Sequence, residues 1–115
     1  MIMNWIKLNN PKQLEQLLQD SNTNPVLIFK HSTRCSISRT ALDRLERNWD
    51  ASEVGHIAPY FLDLISYRDI SNQVQDLFNV EHESPQVLVI NKGQAVYHSS
   101  HLAIDYSNLR SNLKN

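Results

Sequence analysis

The stretch "VLIFKHSTRCSIS", residues 26–38, contains the pattern that decides the fold. It opens with four consecutive apolar residues, Val26 to Phe29, which are typical of a strand covered on both faces in a largely parallel sheet. A polar segment follows, and a helical repeat begins near Ser36. Cys35, the only cysteine of the chain, therefore lies at a predicted strand-to-helix junction.

The helix after Cys35 is predicted from the spacing of its apolar residues. They recur at intervals of three and four, which places one buried stripe on a helix from near Ser36 to about Asn48. The residues of the stripe are Ile37, Ala41, Leu42, Leu45 and Trp49.

On either side of this unit, short β-type runs alternate with helical ones. The predicted strands are Trp5 to Leu8, Tyr60 to Leu64, Gln86 to Ile90, and Ala95 to His98 after a hairpin turn at Asn91 to Gln94. The other predicted helices start near Pro11, at a cap of Asp69 or Ser71, and at a cap of Asp105. The order β-α-β-α-β-α-β-β-α predicts an α/β protein with a central mixed sheet flanked by helices, and it matches the thioredoxin fold.

Length and composition narrow the possible functions. A chain of 115 residues predicts a single domain, residues 1–115. Eleven basic and twelve acidic side chains give a net charge of −1, so we expect neither nucleic acid nor an anionic membrane as a partner. Residues 1–7 lack an export signal and the lone cysteine cannot form an internal disulfide, which favours a cytoplasmic location.

The surroundings of Cys35 favour a reactive thiol. The thiolate is the nucleophile in disulfide exchange, and a helix start supplies N–H groups and a partial positive charge that favour an anion. Ser38 lies three residues further on, where its hydroxyl and backbone N–H are in reach of the sulfur. Local cations are supplied by Lys30, His31, Arg34 and Arg39.

Cys35 could instead be a buried structural residue, a metal ligand or half of a cysteine–histidine pair. A free cysteine is more often buried than reactive, but the polar neighbours Arg34 and Ser36 argue against simple burial. The histidines, at positions 31, 56, 82, 98 and 101, do not form a metal-ligand pattern with Cys35, so no metal site is expected. A protease-like pair of Cys35 with His31 stays open, although no third, orienting group is evident.

Residues 30–38 resemble the signature of the monothiol bacilliredoxins, the YtxJ-type proteins of the bacillithiol system, whose usual core is Thr-x-Cys-Pro-Ile-Ser. The resemblance extends along nearly the whole chain, through residues 25–29, 84–87 and 92–93. It implies a thioredoxin fold in which Cys35 is the redox thiol and Pro85 is a cis-proline that faces it.

The resemblance also assigns roles to residues near Cys35. It implies substrate-binding positions at Thr33, Ser84 and Pro85. With the helix-start argument, it makes Arg34, Ser36 and Ser38 candidates for stabilising the thiolate. One residue departs from the family pattern: Ser36 stands where the family has proline, so the first turn loses a fixed φ angle and gains a hydroxyl and an N–H near the sulfur.

The implied activity is that of a thiol-disulfide oxidoreductase with one redox cysteine, acting in oxidative stress. It would remove a low-molecular-weight thiol from protein mixed disulfides, with no bound cofactor. The resemblance makes bacillithiol the co-substrate, ahead of glutathione or coenzyme A, and Lys30, Arg34 and Arg39 would attract its carboxylates. The expected partners are S-thiolated proteins and, for recycling, a second thiol molecule or a separate reductase.

Two other functions are consistent with the same residues. One is a non-enzymatic stress or peptide-binding protein with a thioredoxin fold, in which Cys35 is only S-thiolated. The other is a thiol-dependent oxyanion reductase of the arsenate type, for which we would expect more arginines downstream of the cysteine than this chain has.

Overall fold

The computed structural model describes residues 4–113 and shows one five-stranded mixed sheet with helices on both faces. Residues 1–3, which are part of the N-terminal stretch without a predicted export signal, lie outside the described residues. The elements in chain order are β1 (Ile6–Lys7), α1 (Gln13–Asp20), β2 (Val26–His31), α2 (Ser36–Asn48), α3 (Ala51–Val54), β3 (Ala58–Asp63), α4 (Arg68–Phe78), β4 (Gln86–Asn91), β5 (Gln94–Ser100), a 3₁₀ turn (His101–Ala103) and α5 (Tyr106–Leu113).

The strand order across the sheet is β1-β3-β2-β4-β5, with β2 in the centre. Strand β2 pairs in parallel with β3 and antiparallel with β4. The α/β class and the mixed sheet predicted from the sequence are confirmed. The predicted hairpin also forms, because Lys92 and Gly93 both adopt positive φ angles in the two-residue turn between Asn91 and Gln94.

Two short elements and one helix cap differ from the predictions. Helix α3 was not predicted, although Asp50 starts it by accepting a hydrogen bond from the Ser52 N–H at 2.9 Å. The 3₁₀ turn after β5 was not predicted either. The predicted caps of α4 were wrong, since that helix begins at Arg68 after Tyr67 and Asp69 lies within its first turn.

The hydrophobic core has two layers, one on each face of the sheet. Successive residues of β2 point to opposite faces, so Leu27 and Phe29 pack under α2 and α5, whereas Val26 and Ile28 pack under α1 and α4. All six residues of β2 are buried, which explains its continuous apolar run. Within residues 4–113, no helix is both long and apolar enough to cross a bilayer.

The same alternation buries Lys30 on the α4 side of the sheet. Its side chain is fully buried, and Nζ lies 3.4 Å from the carbonyl oxygen of Ser71 and 3.5 Å from Nδ1 of His82. Burial lowers the pKa of Lys30 from 10.5 to about 8. The expectation that Lys30 adds a cation beside Cys35 and attracts a substrate carboxylate was therefore wrong, because the ammonium group lies inside the opposite core layer.

Replacing Lys30 by methionine is expected to stabilise the protein at neutral pH by about 1–3 kcal/mol, since the change removes a buried charge. Because the folded-state pKa of Lys30 is the lower one, the wild-type penalty is complete below pH 8 and disappears as the pH rises towards 10.5. Urea unfolding at pH 7 and 9.5 should show wild-type stability rising between these values, and the rise should be smaller in Lys30→Met.

Lys12→Met is the matched control, because Lys12 is exposed. It should change the free energy of unfolding by less than about 0.5 kcal/mol at both pH values. A less stable Lys30→Met protein at pH 7 would instead mean that the hydrogen bonds of Nζ outweigh its desolvation.

Candidate active site

Cys35 lies between the end of β2 and the start of α2. It is the N-cap residue of α2, with an extended backbone (φ −112°, ψ 119°), and it is half-buried. Its side chain makes no capping hydrogen bond. The N-cap position places Cys35 beside the first N–H groups of the helix, which have no partner within the helix.

The loop before Cys35 is held by backbone hydrogen bonds. The N–H of Cys35 donates to the carbonyl of Ser32 at 3.2 Å, and the carbonyl of Cys35 accepts from the Arg39 N–H at 3.1 Å. Thr33 and Arg34 are exposed in this loop, and Ser36 is exposed in the first turn of α2. The structure thus places these three sequence-predicted residues at the surface next to Cys35, and their roles stay predictions.

Pro85 lies at the same end of the sheet as Cys35. It directly precedes Gln86, which pairs with Lys30 near the end of β2. The Ser84–Pro85 peptide bond is cis, as the family resemblance implies, and Pro85 is buried. The hydroxyl oxygen of Ser84 is buried without a hydrogen-bond partner. Substrate binding by Ser84 and Pro85 stays a prediction.

Ser38 is fully buried in the first turn of α2, and its hydroxyl is occupied by two partners. Its Oγ lies 2.7 Å from Nδ1 of His31 and accepts a hydrogen bond from the Ser32 N–H at 3.1 Å. The hydroxyl is therefore bonded to these groups and not to the sulfur of Cys35. Any stabilisation of the thiolate by Ser38 would have to come from its backbone N–H.

His31 was predicted as a local cation beside Cys35, whereas its contact with Ser38 was not predicted. It is the last residue of β2, it is 3 % exposed, and its ring lies near Phe29 and Phe61, with centroids 6.2 and 5.4 Å away. The sequence carried a signal, because strand alternation places His31 on the same face as Phe29, towards α2. A polar side chain buried there needs a partner, and Ser38 is that partner.

The surroundings of His31 lower the pKa of its ring and favour the neutral form, which argues against the cation expected at this position. Burial is the largest cause that lowers its pKa, and Arg39 lowers it further. Asp63, Asp43 and Glu46 act in the opposite direction without cancelling that effect. The Nδ1 of His31 lies beside Ser38, and within residues 4–113 no hydrogen bond joins His31 to Cys35, so the protease-like pairing has no contact to support it.

Comparison with known proteins identifies the family. The family model of monothiol bacilliredoxin BrxC matches residues 6–109. The chain belongs to the monothiol bacilliredoxin family. A solved structure described provisionally as an oxidoreductase with a thioredoxin fold is 32 % identical, with a TM-score of 0.79 over 95 % of this chain and 93 % of that one.

Thioredoxins share the fold at lower identity. The thioredoxin of Malassezia sympodialis is 16 % identical, with a TM-score of 0.73 over 98 % of this chain and 91 % of its own. That of Fasciola hepatica is also 16 % identical, with a TM-score of 0.71 over 93 % and 94 %. The thioredoxin fold and membership of a thiol redox family are thus established for this chain, whose single cysteine fits a monothiol protein.

Two exposed apolar side chains of this bacilliredoxin lie on the first turn of α2 and on the 3₁₀ turn bonded to Pro85. Ile37, in the first turn of α2, is 49 % exposed, and Leu102, in the 3₁₀ turn, is 78 % exposed. The turn is fixed to the site because the His101 N–H donates to the Pro85 carbonyl at 3.0 Å. Arg44 of α2 also donates to the carbonyls of Leu102 and Ile104.

The residues around Cys35 do not form a metal centre. Across residues 4–113, there is no group of three or more histidine, cysteine, aspartate or glutamate side chains placed to hold a metal ion.

Replacing Ser38 by alanine is expected to lower the free energy of unfolding by about 1–3 kcal/mol, because it leaves the Ser32 N–H and His31 Nδ1 without their buried partner. Ser36→Ala in the same turn should cost less than about 0.5 kcal/mol, since that side chain is exposed. Urea unfolding measures both values. Equal losses in the two variants would contradict the assigned hydrogen bonds.

Proposed function

We propose that this bacilliredoxin takes a low-molecular-weight thiol, bacillithiol, from mixed disulfides on other proteins through Cys35. The observation that carries the proposal is a single half-buried cysteine at the N-cap of α2, in a chain of the monothiol bacilliredoxin family. The proposed setting is the cytoplasm, supported by the lone cysteine.

In the first step the Cys35 thiolate attacks the bacillithiol sulfur of the mixed disulfide. A new disulfide forms between Cys35 and bacillithiol, the old disulfide breaks, and the protein thiolate leaves and takes a proton from water. One disulfide replaces another, so no external oxidant or reductant is needed. The substrate protein leaves with its thiol restored.

The second step needs another molecule because this chain has one thiol. Ser38 stands three residues after Cys35, and its hydroxyl cannot resolve the adduct as a second thiol would. A second bacillithiol thiolate, or the thiolate of a separate reductase, attacks the adduct and releases Cys35. With bacillithiol as the attacking thiol, the product is bacillithiol disulfide.

The charges near Cys35 support an anionic small thiol. Arg34 and Arg39 flank Cys35 on either side in sequence, and both are exposed. They are the cations left for the carboxylates of bacillithiol, since Lys30 is buried on the other face of the sheet. Exposed guanidinium groups contribute modestly to affinity, so we propose that they orient the small thiol more than they hold it.

The exposed apolar pair, Ile37 and Leu102, supports a protein as the larger substrate. Both side chains lie on segments that are fixed next to Cys35 or Pro85. Exposed apolar side chains beside a reactive group are suited to contact a protein surface, whereas a small polar thiol gains little from them.

A transfer assay tests the proposal. Reduced protein is mixed with a substrate protein bacillithiolated on one known thiol, and both species are followed by intact mass. We expect the bacillithiol mass to move to Cys35 and to stay there until a second thiol is added. Cys35→Ser should show no transfer, and the same substrate with a free thiol is the control for non-specific mass changes.

Glutathionylated and coenzyme A-modified forms of the same substrate test which small thiol is preferred. Faster transfer of either would replace bacillithiol in the proposal and leave the chemistry unchanged. If the bacillithiol adduct stays on the substrate at neutral pH and Cys35 reacts no faster than free cysteine, the non-enzymatic peptide-binding function is the better description. Arsenate reduction by the same protein would favour the oxyanion reductase.

A further inference from the structure

The first turn of α2 is closed in an unusual way. At the third position of a helix, a side chain that caps usually turns back to the N–H of the N-cap residue. Here the N-cap N–H, that of Cys35, donates to the Ser32 carbonyl instead, at 3.2 Å. The third residue, Ser38, accepts the N–H of Ser32 at 3.1 Å. Its hydroxyl therefore ties together the two ends of the loop that carries Cys35.

His31 fixes that hydroxyl from the side of the sheet. The backbone carbonyl of His31 accepts from the Leu64 N–H at 3.1 Å, which anchors the end of β2 to the segment after β3. Its Nδ1 lies 2.7 Å from Ser38 Oγ, and both side chains are buried. The imidazole thus connects the rigid sheet to the first turn of α2, and the loop with Cys35 lies between them.

We propose that His31 is a positioning residue for the chemistry of Cys35. Acting through Ser38, it holds residues 32–35 and the start of α2 in the arrangement that presents the sulfur to a disulfide. The proposal rests on the thiol-disulfide exchange proposed above and adds a residue that supports the reacting atom without bonding to it. It also assigns a structural role to Ser38, which stands three residues after Cys35, where a two-cysteine enzyme has its second thiol.

The chemistry of the two groups agrees with this assignment. A hydroxyl that accepts the Ser32 N–H still has its own proton to donate, and Nδ1 of a neutral imidazole protonated on Nε2 accepts it. All three polar groups are then satisfied in a buried place. The charged groups that face the ring are Arg39, Asp43 and Glu46 from α2 and Asp63 from β3.

The chain contains a matched control on the other face of the sheet. Nδ1 of His82 lies 3.1 Å from Oγ of Ser71, so a second histidine bonds to a second serine within a helix, away from the start of α2. His82→Phe removes a histidine–serine contact and a ring that is less buried than that of His31, along with the 3.5 Å contact of His82 with Lys30 Nζ. It separates a general loss of packing from a specific effect on Cys35.

The test measures how fast Cys35 reacts with a small aromatic disulfide in folded protein at pH 7. We expect His31→Phe and Ser38→Ala each to slow this reaction by about tenfold, because the loop is no longer held in place. The double variant should be no slower than either single variant, since both remove the same link. His31→Asn, which keeps a hydrogen-bonding atom near the place of Nδ1, should recover most of the rate, and His82→Phe should react at the wild-type rate.

Additive losses of rate in the double variant, or equal losses of rate in His31→Phe and His82→Phe, would overturn the proposal. So would a lower unfolding midpoint combined with an unchanged reaction rate of Cys35 in the folded protein. If His31→Phe does not fold, Ser38→Ala and its combination with His31→Asn carry the test. The aromatic disulfide contains no bacillithiol. The effect of His31 on the rate can therefore be measured even if bacillithiol transfer fails, and the two proposals are tested separately.

Discussion

The burial of β2 on both faces is the constraint on which the rest of the structure depends. A strand with a core layer on each side has no solvent-facing position, so each of its six side chains must find a partner within one layer. Four are apolar and pack directly. The last two, Lys30 and His31, are polar, and each has a polar partner in the helix that covers its face. Lys30 bonds to the carbonyl of Ser71 in α4, and His31 bonds to the hydroxyl of Ser38 in α2.

The same constraint explains what the sequence could predict. The apolar run of β2, the three- and four-residue spacing of α2 and the turn residues of the β4–β5 hairpin are local signals, and they predicted the elements and their order along the chain. The order of the strands across the sheet was not predicted. Lys30 and His31 were different, because a charged or polar type at the end of a strand reads as an exposed residue. Both residues are buried because α2 and α4 cover the end of β2, one on each face of the sheet, and this packing is visible only in the structure.

The site shows a similar division. The predicted helix start and the family resemblance both pointed to Cys35 as the redox thiol, and the resemblance supplied the cis bond before Pro85. The partner of Ser38 could not be read from spacing, since a serine three residues after a cysteine is equally well placed for the sulfur or for the sheet. The exposed Leu102 was missed as well, because the 3₁₀ turn that presents it is fixed by distant groups, Pro85 and Arg44.

Having a single thiol also limits which disulfides the chain can form during and after folding. During folding there is no wrong intramolecular cysteine pair to form, so oxidation cannot trap a misfolded topology. After folding, a disulfide through Cys35 can join at most two copies, and a covalent polymer cannot grow. A protein that works on oxidised thiols is in this way protected from the cross-linking that its own substrates undergo.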